Sequence, residues 1–248
     1  MRRLRSIREL VEGAERHGVG RVRILGDVPP SAVVPGMVAE WERSCSLLNL
    51  ALAGHPATVA CVYDESALPA GIAERAPCSH PYLGLAPTAS SQAYLEPEAF
   101  MDRHRPERVP PPAGSTSLPG TTGPAEARAF VRRALGQDGT TDPVPQGVIE
   151  DVVTAVHEAV TNAWQAGASS VTVTCWREAG EVGAQVDDDG PGLRDPLAGR
   201  RWPDPHTERG RGLWVARQLV DVVDVAASGS GTSVRVRVFD AGWARPAA

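Results

Sequence analysis

Apolar residues in the second half of the chain recur first at helical and then at strand spacing. In AEARAFVRRAL, Phe130, Val131, Ala134 and Leu135 share one stripe. Pro124 stands at a suitable first helical position and Gly136 ends the run, which predicts a helix. From about Gln146 to Ala166, Ile149, Val152, Val153, Val156, Val160 and Ala163 line one side at 100° per residue. Thr154, Glu158 and Asn162 fall on the opposite side of this longer helix. The period then drops to two. SVTVTCW (170–176) and EVGAQVD (181–187) alternate as strands, and residues 177–180 make a tight hairpin connection. A glycine-rich loop, a Pro- and Arg-rich segment and a helix from about Gly212 to Val220 follow. Strands at 222–227 and 233–239 flank SGSGT. This order predicts an α/β (α+β) domain with helices on one face of a mixed or antiparallel sheet.

The first half reads differently. RVRIL (21–25) and TVACVY (58–63) are predicted strands, with a helical stretch from Val38 to Ala53 between them and a shorter helix over 66–75. This is a small α/β unit with a partly parallel sheet, and two or three strands are few for an independent one. Between the halves, VPPPAGSTSLPGTTGP offers proline and small polar residues in place of a core, so it is expected to be a linker. The predicted organisation is therefore 1–108, a linker at 109–123, and 124–248.

The 248 residues, 42% of them hydrophobic, suffice for two small cores. Net charge is −5, and the basic residues are dispersed apart from Arg2, Arg3, Arg5 and Arg8, which argues against direct nucleic-acid binding. The basic opening lacks the apolar run of a signal peptide, and no stretch approaches the ~20 apolar residues of a membrane helix. A cytoplasmic, membrane-free protein is expected. The cysteines, Cys45, Cys61, Cys78 and Cys175, lie far apart without a Cys-x-x-Cys pair and are expected to be ordinary thiols. Cys78 and His80 are close in sequence, but no third and fourth metal ligand accompanies them.

Three elements carry candidate chemistry. VHEAVTNA places Glu158 and Asn162 one helical turn apart on the polar face. DDGPG sets Asp188, Gly190 and Gly192 at a strand end. GRGLWVARQLVD puts Gly210 and Gly212 just before a helix. A carboxamide is a good oxygen ligand for Mg²⁺, and a nearby carboxylate can accept a proton from an attacking hydroxyl. An aspartate can accept a hydrogen bond from an exocyclic amine. Glycines opening a helix let backbone amides approach phosphate oxygens. Singly each is ordinary: polar helix faces are solvated, DDGPG suits any turn, and Gly-x-Gly is common. His157, between the two faces, reads as structural. Their joint order is what carries weight.

Together these motifs resemble the GHKL superfamily, and within it the bacterial anti-sigma factor serine kinases. VHEAVTNA is similar to the N box, VDDDGPGL and GRGLWVARQLVD to the two glycine boxes, and SGSGTSVRVRV to the terminal hairpin. The resemblance implies a Bergerat-type two-layer α/β sandwich holding ATP and Mg²⁺. It implies Glu158 as general base, Asn162 on Mg²⁺ and Asp188 on the adenine amine. Gly190 and Gly192 would lie beside the nucleotide, Gly210, Arg211 and Gly212 at the phosphates, and Thr232 behind the adenine pocket, with 193–209 as a lid. It further implies an anti-anti-sigma (STAS-type) partner phosphorylated on serine, a competing sigma factor, and room for a homodimer. Family members often carry a His soon after the N-box Asn, whereas AWQAGA follows Asn162 and Trp164 is expected to pack. A nucleotide-gated protein that sequesters its partner without catalysis is the alternative. A two-component histidine kinase fits less well, because His17, His55, His80 and His104 sit beside Gly, Pro or Arg. Residues before the linker resemble the second half of a MEDS sensory domain, in which Asp64 and His80 would line a pocket. The absent first half implies a shortened module or a chain that begins late.

Overall fold

The computed structural model describes residues 1–27, 37–64, 66, 68, 71–84, 89–136, 143–178, 180–203 and 210–239. The chain divides into two compact units, Met1–His104 and Arg105–Ala248.

In the first unit, strands β1 (Val22–Asp27) and β2 (Ala57–Val62) pair in parallel, from Val22 with Ala57 to Asp27 with Val62. A parallel pair needs a crossover, and helix α2 (Val38–Ala51) lies between them in sequence. Helix α1 (Arg2–Arg16) was not among the predicted elements, although Leu4, Ile7, Val11 and Ala14 recur at helical spacing. Leu4 and Val11 bury its inner side, while Arg5–Glu9 and Arg8–Glu12 ion pairs at 2.8 and 2.7 Å link successive turns. Such pairs contribute a few tenths of a kcal/mol each, so packing decides the helix. The helix expected over 66–75 is shorter. Helix α3 runs Ile72–Arg75 from Gly71, whose φ of +86° marks a left-handed start, and residues 65, 67, 69 and 70 lie outside the described residues. A 3₁₀ turn (Ala76–Cys78), a ribbon of β3 (Tyr82–Leu83) with β4 (Ala89–Ser90), and helix α4 (Pro97–Arg103) complete the unit.

The second unit contains β5 (Thr116–Leu118), α5 (Pro124–Leu135), α6 (Gln146–Gln165), β6 (Val171–Glu178), β7 (Glu181–Asp188), α7 (Gly212–Leu219), β8 (Val222–Ser228) and β9 (Gly231–Phe239). The strands form one sheet in the order β5-β6-β7-β9-β8, every neighbouring pair antiparallel. The apolar stripe predicted for α6 is buried throughout, as are Phe130, Val131 and Leu135 of α5. They pack with Val173, Val182, Val186, Val234 and Val236 of the sheet in one core, to which α7 adds Leu213 and Ala216. The unit is thus a two-layer α/β sandwich with an antiparallel sheet.

The segment expected to be a plain linker does more. Its residues Thr116–Leu118 form the edge strand, pairing Thr116 with Cys175 and Leu118 with Val173. Thr121 is almost fully buried and its N–H donates to the Val171 carbonyl at 2.9 Å. Backbone groups along β6 need partners whatever the composition of the strand beside them, and a short polar stretch can supply them.

Candidate functional site

The apolar stripe of α6 faces the sheet, which leaves Asn162 at the wall of a cavity of about 470 Å³. This is the size range of small-molecule and cofactor sites. Among the described residues the Asn162 side-chain amide makes no hydrogen bond, so its oxygen is available to a ligand. The floor is apolar, with Ala159, Ala163, Leu213, Val225 and Val234.

Asp188 ends β7 at the same cavity. Its Oδ1 accepts the Gly190 N–H at 2.8 Å and the Thr232 N–H at 3.3 Å. One oxygen is therefore fixed by backbone from two loops, and Oδ2 accepts nothing from the described residues. The two loops interlock. Gly192 has φ +79°, and a Cβ there would collide with the Ser228 carbonyl of the β8–β9 turn. Gly231 has φ +138°, and a Cβ there would collide with the Asp188 carbonyl. Glycine is required at both positions by conformation and by space. Asp189, the next residue, accepts from the N–H groups of Ser169 and Ser170 and from Ser169 Oγ at 2.5 Å. The Ser169 hydroxyl, followed by those backbone donors, holds its carboxyl below the ordinary carboxylate value.

Opposite Asp188, Gly210, with φ +80°, and Arg211 line the cavity at the entrance to α7. A Cβ at Gly212 would collide with the Glu158 carboxylate, so Glu158 lies against the helix N-terminus. Nearby, Asp195 closes a turn by accepting the Leu197 N–H at 2.9 Å and pairing with Arg201. Leu197 is buried, and Gly199 has room only for hydrogen above Leu213. Trp202 meets Trp214 of α7 edge-on at 5.9 Å. Residues 193–203 of the expected lid thus lean on α7 along one side of the cavity, and 204–209 lie outside the described residues.

The cavity brings together Asn162, Asp188, Gly192, Gly210, Arg211 and Thr232. Glu158, Gly190 and Gly212 are not in its wall. Gly190 acts on it through Asp188, while Glu158 and Gly212 meet beside Arg211. Sequence reading missed Asp195, Trp202 and Trp214, whose only local signal was two indoles flanking a Pro- and Arg-rich stretch. His157 accepts a hydrogen bond from Arg128 of α5 at 2.8 Å and joins two helices. Trp164 packs against the core.

The cavity is thus lined by glycines, by residues at the α7 N-terminus and by an aspartate with one oxygen committed to backbone N–H groups. Residues 121–238 match the histidine kinase-like ATPase domain family. ATP is the ligand that similarity to a histidine kinase-like ATPase domain implies. Solved structures similar to part of the chain include the RsbU and RsbW domains of a Mycobacterium tuberculosis protein, at 23% identity and TM-score 0.38. That match covers 53% of this chain and 33% of the other. The histidine kinase domain of the Erythrobacter litoralis blue-light activated histidine kinase is 23% identical over 46% of this chain and 62% of its own, with TM-score 0.32. The mycobacterial sensor histidine kinase MprB is 18% identical over 50% of this chain and 97% of its own, with TM-score 0.32. This chain therefore spans about a third of the first of these. No curated protein matches it. No helix among the described residues is long and apolar enough to cross a membrane.

Proposed function

We propose that residues 124–248 bind Mg²⁺-ATP and transfer its γ-phosphoryl group to a serine of a STAS-type anti-anti-sigma protein. The chain would thereby regulate a sigma factor. The observation that carries the reading is Asp188, with one oxygen fixed by Gly190 and Thr232 and the other left for the adenine amine. The pocket is also consistent with a metal ion, because the uncommitted Asn162 carboxamide is a suitable oxygen ligand beside phosphates. When bound, Mg²⁺ offsets the charge of the phosphate oxygens.

The chain's own residues do the rest. The apolar floor takes the base, and the α7 N-terminus with Gly210 and Gly212 presents N–H groups and a favourable dipole to the phosphates. Arg211 supplies positive charge at the same end. Glu158, against Gly212, accepts the serine proton as its oxygen bonds to the γ-phosphorus and ADP leaves. Residues 1–108, with their parallel strand pair, would serve as a sensory module of MEDS type.

Purified chain, ATP and a STAS-type protein encoded beside it are expected to yield phosphoserine on that protein, abolished by Glu158→Gln. Absence of transfer by the wild-type chain, or full transfer by the variant, would refute the kinase reading. Two observations favour the non-catalytic alternative. Glu158 stands outside the cavity wall, and Trp164 packs into the core where family members often carry a His. In that case ATP remains intact while the partner is retained in a nucleotide-dependent pull-down.

A further inference from the structure

Cys45 on α2, Cys61 on β2 and His80 after the 3₁₀ turn converge inside the first unit. Each offers one ligand atom, and these atoms lie within 4.8 Å of one another. The pair suggested by sequence proximity, Cys78 with His80, is not the one the fold assembles. Cys78 stays outside the group, and residues distant in the chain take its place.

Two features separate this cluster from three side chains that merely share a core. The first is the His80 ring. Its Nδ1–H donates to the Ala76 carbonyl at 2.8 Å, and Ser79 Oγ lies 3.0 Å from the same nitrogen. In the neutral ring the lone pair is then on Nε2. This is the arrangement by which metal-binding histidines are oriented and kept in the ligating tautomer. The second is spacing. Tetrahedral Zn²⁺, with Zn–S of about 2.3 Å and Zn–N of about 2.0–2.1 Å, sets its ligand atoms about 3.5–3.8 Å apart. The cluster needs to contract by only about 1 Å to reach that.

The surroundings suit a soft cation. Cys45 is buried, and Tyr63 stacks edge-on against both His80 at 5.8 Å and Trp41 at 5.4 Å. The Tyr63 hydroxyl is buried beside the Cys45 thiol, so a polar oxygen stands in the wall of the cluster. Thiolates and imidazole are the donors that soft and borderline transition metals prefer, whereas Mg²⁺ and Ca²⁺ require oxygen. Two thiolates and a dication form a neutral centre, which limits the cost of burying the charges.

We propose that Cys45, Cys61 and His80 form a binding site for a thiophilic d¹⁰ cation of the Zn²⁺ or Cu(I) class, leaving the fourth coordination position open to an exogenous ligand. The site lies wholly within the first unit.

The test uses the full chain, reduced with a phosphine, stripped of metal and titrated with Co²⁺ as a spectroscopic stand-in. One equivalent is expected to bind with tetrahedral d–d bands and a thiolate-to-cobalt charge-transfer band, and Zn²⁺ should displace it. Cys61→Ser and His80→Gln should each weaken binding by ~100-fold or more, beyond the roughly 10–100-fold of an outer partner. Tight Cu(I) binding that both variants weaken would support the same site. Circular dichroism and urea unfolding establish that each variant is folded. No uptake by the reduced wild type, affinity unchanged in both folded variants, or an octahedral cobalt spectrum without charge transfer would overturn the proposal. A Cys45–Cys61 disulfide formed in air by protein that takes up no metal would overturn it as well.

Discussion

Asp188, proposed to meet the adenine amine, shows how backbone chemistry commits one carboxylate oxygen and leaves the other. Its Oδ1 is committed to the Gly190 and Thr232 N–H groups, so only Oδ2 faces a ligand. Asp188→Asn keeps an oxygen for those donors and turns the ligand-facing acceptor into a donor. A hydrogen bond to a charged group contributes about 1.5–3 kcal/mol, so ATP affinity should fall about 10–100-fold with little change in unfolding free energy. Calorimetric titration beside urea unfolding checks both. Gly231→Ala should behave in the opposite way. The new Cβ meets the Asp188 carbonyl from a positive-φ backbone, and destabilisation of more than ~2 kcal/mol is expected in urea unfolding. The motif residues themselves were legible in the sequence, because Asp and Gly in DDGPG and SGSGT have few other joint uses. Their mutual contacts were not, because Gly192 and Gly231 touch backbone far away in the chain.

Among elements, α5, α6, α7 and the four long strands follow from period alone, within a residue or two at most ends. Each buries one continuous apolar face, and such faces set their own register. Strand β5 did not follow from it, and helix α1 was not among the predicted elements although Leu4, Ile7 and Val11 recur at helical spacing. The first is recruited by the open edge of β6, and the second by two buried side chains among charges. Residues 193–203 belong to the same class, since their placement depends on Trp202 and Gly199 meeting α7. Trp202→Ala removes an edge-on aromatic pair worth about 0.5–1.5 kcal/mol, so nucleotide dissociation should accelerate about 2–10-fold. Stopped-flow displacement of a fluorescent ATP analogue measures it, and an unchanged dissociation rate would count against the lid role. The β7 loop is tied to the α6–β6 connection through Asp189. Its carboxyl lies below the ordinary value, so the stabilisation it provides is present above pH ~4 and is lost as pH falls through the depressed folded-state value. Urea midpoints should therefore fall between pH 6 and pH 3 more steeply in the wild type than in Asp189→Asn. Equal slopes would contradict this role.

At the scale of the whole molecule, the second unit was readable nearly throughout, and in the first the parallel pair β1–β2 with α2 between them was readable too. The second repeats a single rule, an apolar face per element with polar chemistry at the ends of helices and strands. The first unit's most specific feature, the Cys45, Cys61 and His80 cluster, was not readable, because it arises only when three separated segments meet. The central claim concerns the cavity lined by Asn162 and Asp188, and calorimetric titration of ATP with and without Mg²⁺ tests it most directly. One ATP per chain should bind, more tightly with Mg²⁺, and Asn162→Ala should remove the Mg²⁺ enhancement while Asp188→Asn weakens binding in both conditions. Failure of the wild-type chain to bind ATP, or binding that neither substitution alters, would contradict it.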